Sequence, residues 1–145
     1  MTIRPFLWFD DNAEAAMRFY ASLFPNSEIH SVSPLIVTAT IAGQPVMALN
    51  GGPSHHLSEA FSFFVECTDQ AEVDRYWDAL LSNGGEPNRC GWLTDRFGLS
   101  WQVIPELLGE LLSDDDEEKS GRVMQAMLAM IKIDCATLQR AYDGG

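Results

Sequence analysis

The sequence predicts an α+β fold of two βαβββ modules followed by C-terminal helices. Three observations carry that reading. A shift of 57 residues lays Ala16, Phe19, Tyr20, Leu23 and Phe24 on Val73, Tyr76, Trp77, Leu80 and Leu81, and self-similarity of this kind marks a repeated structural unit. Both sets are spaced i, i+3, i+4, i+7, i+8, which is one apolar face of a helix. Short runs rich in β-branched and aromatic residues flank each helix, separated by Gly, Pro and Asn turn signals.

Taken in order, Phe6-Leu7-Trp8-Phe9 reads as a strand and falls on Phe63-Phe64-Val65-Glu66 under the same shift. Asn12 and Asp69 then stand where a side-chain oxygen can cap the free amides of the helix that follows. Pro25-Asn26 stops the first helix. Residues 28–33, 35–41 and 45–49 read as three strands broken at Ser33-Pro34 and at Ala42-Gly43-Gln44, completing module one over residues 1–52. Asn50-Gly51-Gly52-Pro53-Ser54 reads as a flexible linker. Module two, residues 58–105, ends its helix at Asn83-Gly84-Gly85, a glycine stop signal, and continues through turn-rich residues 86–89. Strands are expected at 91–94 and 100–104, around a tight Asp95-Arg96-Phe97-Gly98 turn.

The extension over residues 106–145 begins with a short helix at 106–112. Met124, Leu128, Ile131, Cys135, Leu138 and Tyr142 recur at 4, 3, 4, 3, 4 spacing, which predicts one amphipathic helix of about six turns. Its apolar side is expected to cover the protein's own sheet, with a dimer contact as the alternative. The acid run 114–118 reads as a solvated face near a helix start, and it lacks the spacing and glycine of a calcium loop.

A length of 145 residues suits one domain, able to bury about 70% of the surface its unfolded chain exposes. With 46% hydrophobic and 21% charged residues, and no apolar run near the roughly 18 that a membrane span needs, a soluble globular protein is expected. Nine Lys and Arg against 21 Asp and Glu give a net charge of -12, which repels polyanions and argues against nucleic acid and anionic membranes as partners. The N-terminus meets Asp10 and Asp11 almost at once and lacks the basic start and longer apolar stretch of a secretory signal, so a cytoplasmic location is expected. Cys67, Cys90 and Cys135 are odd in number, widely spaced and without a C-x-x-C pair, which fits reduced thiols and no structural zinc.

Several segments carry a family likeness: Phe6-Leu7-Trp8-Phe9, Ala15-Ala16-Met17-Arg18-Phe19-Tyr20, Leu49-Asn50-Gly51-Gly52-Pro53, Cys90-Gly91-Trp92-Leu93-Thr94-Asp95-Arg96-Phe97-Gly98 and Ser100-Trp101-Gln102-Val103-Ile104-Pro105. They resemble the PhnB-like family, often labelled demethylubiquinone methyltransferase, within the vicinal oxygen chelate superfamily, also called the glyoxalase, bleomycin-resistance and dihydroxybiphenyl dioxygenase fold. Arg122-Val123-Met124-Gln125-Ala126-Met127 resembles that family's C-terminal helix. The resemblance implies a cup formed by the sheets of the two modules, and a homodimer. It also implies, for the superfamily's metal enzymes, one His, Glu or Gln ligand on the first and last strand of each module.

Those ligand positions fall on Pro5, Ala48 or Asn50, Ser62 and Gln102, of which only Gln102 resembles a ligand. A divalent ion needs several carboxylate or imidazole donors converging on one point, so no tightly bound metal and no cofactor are expected. For S-adenosylmethionine the chain lacks a G-x-G-x-x-G turn and alternating parallel βα units, and Asn50-Gly51-Gly52 is a linker.

Of the candidate residues, Cys90 could act as a nucleophile if His55, His56 or a cation lowered its pKa; otherwise it is a small buried residue. Trp8, Trp92 and Trp101, with Phe63, offer rings that stack on a flat ligand, although alternation along a strand cannot turn all of them one way. Gln102 must face opposite to Trp101. Asn50, Ser62 and Gln102 are the polar groups expected inside the cup. Asp95 is expected to hold its turn by local hydrogen bonds, with an acid or base role as the alternative. The reading that results is a metal-independent protein holding a small organic molecule, aromatic in the favoured form. The alternatives are an enzyme with an atypical site at Cys90, Asp95 or Gln102, or the demethylubiquinone methyltransferase of the family label.

Overall fold

Each copy of the repeat builds one four-stranded sheet with one helix against it in the computed structural model, which describes residues 1–145. The chain divides into two units, Met1–Ser58 and Glu59–Gly145. The first holds β1 (Phe6–Phe9), α1 (Ala13–Leu23), β2 (Glu28–Val32), β3 (Ile36–Ile41) and β4 (Gln44–Asn50). Its strand order is β1-β4-β3-β2, with β1 parallel to β4 and the other pairs antiparallel. The second unit repeats this with β5 (Ser62–Cys67), α2 (Gln70–Leu81), β6 (Glu86–Pro87), β7 (Trp92–Thr94) and β8 (Ser100–Pro105), in the order β5-β8-β7-β6. It then adds α3 (Glu106–Leu112), α4 (Glu117–Leu128) and α5 (Cys135–Asp143).

Period-two alternation gives each sheet a helix-covered face and an open one. In the first unit Leu7, Phe9, Val37, Ala39, Val46 and Ala48 are buried, as are Ala13, Ala16, Met17 and Tyr20 of α1, which packs on β3 and β4. In the second, Leu93, Trp101 and Val103 are buried together with Val73, Tyr76, Trp77 and Leu80 of α2. Each of the Val, Leu, Phe and Met side chains among them contributes about 1.5–3 kcal/mol when fully removed from water.

The two helix caps differ. Asp69 accepts a hydrogen bond from the Glu72 amide at 2.9 Å and Glu72 reaches back to the Thr68 amide at 2.8 Å. Asn12 makes no such bond, because Asn50, on the helix side of β4, accepts from the Ala13 amide at 2.8 Å. The expected flexibility of the linker is corrected at its start: the Gly51 and Gly52 amides donate to the Phe9 and Asp10 carbonyls, extending the β1/β4 ladder.

The single six-turn helix expected near the C-terminus is two helices, α4 and α5. Between them the Met130 and Ile131 carbonyls accept bonds from the Cys90 and Gly91 amides at 2.9 and 2.7 Å, and Gln70 bonds both the Ile133 carbonyl and the Cys135 amide. Those bonds hold the chain in a non-helical path, and Asp134 caps the new start by accepting from the Ala136 amide. The face buried differs from the expected stripe in part, with Leu138 common to both. Val123, Ile133 and Leu138 pack with Ile104, Leu108 and Leu111, whereas Met124, Leu128 and Ile131 stay 39%, 49% and 53% exposed. Asp116, within the acid run, caps α4.

Candidate functional site

The open face of the second sheet is set by its register. Gln102 of β8 lies beside Phe64 of β5 on one side and Trp92 of β7 on the other, and Ile104 lies beside Glu66. These residues point away from the face where Leu93, Trp101 and Val103 are buried. Gln102 donates from Nε2 to Ser62 Oγ at 3.0 Å, which fixes the amide on this face.

The C-terminal extension crosses one end of the face and turns it into a cleft of about 290 Å³. Phe64, Glu66, Trp92, Gln102 and Ile104 come from the sheet, Cys90 from the loop before β7, and Glu106, Leu108, Gly109, Leu112 and Met127 from α3 and α4. Its size lies at the small end of pockets that hold organic ligands, roughly 300–1,000 Å³. A mostly apolar lining with few polar groups is what such pockets use.

Gly91 makes this closure possible. A Cβ there would stand 2.6 Å from Ile104 Cδ1 and 3.0 Å from the Val103 carbonyl, and the residue has φ +83°. Only glycine fits without strain. Cys90 beside it also has a positive φ, 58°, a conformation that side chains with a Cβ rarely adopt. The Gly91 carbonyl in turn accepts from the Val103 amide at 2.8 Å, so one dipeptide ties the loop to β8 and to the tail.

Of the residues expected to bind ligand, Trp92, Gln102 and Ser62 are brought together on this face, with Cys90 at the edge of the cleft. Trp101 and Asn50 are not, a correction that follows from alternation. Trp101 is 2% exposed and donates from Nε1 to Asp95 Oδ2 at 2.9 Å. Asn50 spends its side chain on the Ala13 amide and the Pro34 carbonyl. Trp8 holds the linker: its Nε1 donates to the Gly52 carbonyl at 3.0 Å, its ring lies where a Gly51 Cβ would come within 2.4 Å, and His55 packs edge-on at 4.7 Å. Asp95, 3% exposed, accepts from the Phe97 and Leu99 amides at 2.8 and 3.1 Å besides Trp101, the turn-holding role expected of it. It does not line the cleft.

Sequence reasoning missed Phe64, Glu66 and the residues of α3 and α4. The alternation of Phe63 with Phe64 would have found the first two. No local signal marks the others, because their position depends on how the tail folds back. Cys67 and Cys135 lie outside the cleft; burial pushes the Cys67 thiol up to about 11 and raises that of Cys135 as well.

The positions that hold metal in the superfamily's metal enzymes do not suit one here. The first unit offers Pro5 and either Ala48, without a side-chain donor, or Asn50, whose amide is bonded to Ala13 and Pro34, and the second offers Ser62 and Gln102, bonded to each other. No group of three His, Cys, Asp or Glu converges anywhere in the chain. None of these positions carries a carboxylate or an imidazole, the groups that a hard or borderline divalent cation needs. No helix is long and apolar enough to cross a membrane.

Comparison with known proteins agrees with this fold. The family model described as 3-demethylubiquinone-9 3-methyltransferase matches residues 1–104. A PhnB protein from Bacillus cereus is 30% identical over 72% of this chain and 99% of its own, with a TM-score of 0.67. FosX, a fosfomycin resistance protein from Listeria monocytogenes solved with Mn(II) and sulfate, is 16% identical over 70% of this chain and 86% of its own, with a TM-score of 0.53. A glyoxalase-related enzyme from Fulvimarina pelagi is 15% identical over 72% and 88%, with a TM-score of 0.52. The last two show the fold alone. No curated protein matches the chain. The family model stops before α3, so the tail that walls the cleft lies outside it.

Proposed function

We propose that this chain, which belongs to the PhnB-like family of the vicinal oxygen chelate superfamily, is a metal-independent protein that binds a small, flat organic molecule on the open face of its second sheet. One observation carries the reading: the cleft of about 290 Å³ that places Trp92 and Phe64 beside the bonded Gln102 amide. An aromatic ring binds such a floor by stacking, and a single amide orients it by one hydrogen bond. The donor chemistry at the superfamily's ligand positions supports the metal-independent part. A cytoplasmic homodimer completes the proposal, and sedimentation equilibrium of the full chain tests its oligomeric part.

Native mass spectrometry of freshly purified protein, set against its denatured mass, tests the binding reading together with a thermal-shift screen of flat aromatic compounds, neutral naphthols and quinones as well as aromatic cations. The expected result is an organic adduct, or a stabiliser whose effect is lost in Trp92→Ala. Absence of any stabiliser, or one divalent ion per chain in the native spectrum, overturns it.

A second reading, an enzyme with an atypical site, is favoured by one observation: Cys90 and Gln102 line the same cleft. Turnover of a quinone or a demethylated ubiquinol with S-adenosylmethionine that disappears in Cys90→Ala or Gln102→Ala would move this reading to first place.

A further inference from the structure

We propose that the cleft selects a cation carried on a flat apolar body, such as an aromatic ammonium ion, and that the C-terminal extension helps set that choice; this rests on the binding reading above. The lining contains two carboxylates, Glu66 and Glu106, and no Lys, Arg or His. Neither takes part in the ion pairs Arg18–Glu14, Arg75–Glu72, Arg122–Glu118 and Lys132–Asp74. Glu106 opens α3, whose N-terminal amides favour a carboxylate there, but those amides do not remove its charge from the cleft.

Around the carboxylates stand the rings of Phe64 and Trp92 and the apolar side chains of Leu108 and Met127. An aromatic face attracts a cation through its quadrupole, with Trp the strongest of the ring types. An anion would meet two like charges, in a protein whose net charge is already -12. Both carboxylates are exposed, so a neutral ligand leaves them hydrated and gains nothing from their charge. A flat cation alone is attracted by both the rings and the carboxylates. Glu106, Leu108 and Met127 all follow residue 104, where the family match ends, while Glu66, Phe64 and Trp92 lie within it, so this selectivity depends in part on the stretch that the match does not cover.

The test compares two rings of one shape, 1-methylquinolinium and neutral 1-methylnaphthalene, by equilibrium dialysis against the full chain. The cation is expected to bind about tenfold more tightly or better, with the advantage shrinking as salt rises from about 0.05 to about 0.5 M. Glu66→Gln with Glu106→Gln should remove most of that preference, while Glu28→Gln with Asp78→Asn, the same charge change on residues that do not line the cleft, should leave it. Equal or tighter binding of methylnaphthalene overturns this inference and leaves the binding reading standing. Loss of the preference in the remote pair overturns it too, because net charge would then be its source. Binding of neither ring overturns both.

Discussion

Replacing Asp95 by Asn tests what the most distinctive segment of the sequence is for. In the wild type one carboxylate oxygen accepts from the Phe97 and Leu99 amides at 2.8 and 3.1 Å, and the other accepts from Trp101 Nε1 at 2.9 Å. Asparagine keeps an oxygen for the two backbone amides but turns an NH₂ toward the indole N–H, donor against donor. Trp101 is 2% exposed, so water does not replace the lost acceptor. A buried donor left unsatisfied costs about 1–3 kcal/mol, and exchanging charge-assisted bonds for neutral ones removes roughly another 1 kcal/mol. The expected loss is therefore about 2–4 kcal/mol, a large part of the roughly 5–15 kcal/mol that holds a typical domain folded. Urea unfolding followed by circular dichroism measures it, with the slope unchanged. In a Trp101→Phe background the same substitution should cost about 1–2 kcal/mol less, since the clashing donor is gone. A cost below about 0.5 kcal/mol, or the same cost in both backgrounds, would refute the role given to Asp95.

Three further outcomes are expected. Gly91→Ala should destabilise the protein by about 2–4 kcal/mol in urea unfolding, combining overpacking against Ile104 with a left-handed backbone; a change under about 0.5 kcal/mol would show that the loop relaxes freely. Alkylation by iodoacetamide at pH 8 should modify the partly exposed Cys90 well before Cys67, which is buried and held up to about 11; peptide mapping that finds Cys67 first would contradict the packing of β5. The Tyr142 hydroxyl donates to Asp114 at 2.6 Å, and that bond with the Asp116 amide holds the Asp114 carboxyl below its ordinary value. Its contribution is present at neutral pH and is lost as pH falls below the ordinary carboxylate range toward the lower folded value. Protection of α5 against hydrogen exchange should weaken in that window, and Tyr142→Phe should reduce the pH dependence.

Much of the fold was legible because it rests on local periodicity. The two helical faces and the strand alternation are written in residues a few positions apart, and the repeat states the topology twice. The tail was not, because residues 129–134 are kept from helix by bonds to Cys90, Gly91 and Gln70, far away in sequence. An apolar spacing that looked continuous therefore covers two helices, and three of its members remain exposed. The family segments were legible as a likeness but not as roles. Within residues 90–98, Gly91 serves a close approach and Asp95 a buried turn, while Cys90 and Trp92 line the cleft. Gln102 and Ser62 could be read from the superfamily's strand positions. Asn50 could not, since its side chain caps a helix that starts 37 residues earlier.

The central claim is that ligand enters the open face of the second sheet, and the four tryptophans make it directly measurable. Titrating 1-methylquinolinium or 2-naphthol into ¹⁵N-labelled protein resolves one indole resonance each for Trp8, Trp77, Trp92 and Trp101. The account predicts that Trp92 shifts progressively, together with the Gln102 side-chain amide, while the buried Trp77 and Trp101 stay in place. Shifts centred on Trp8, or saturation with Trp92 and Gln102 unmoved, would contradict it.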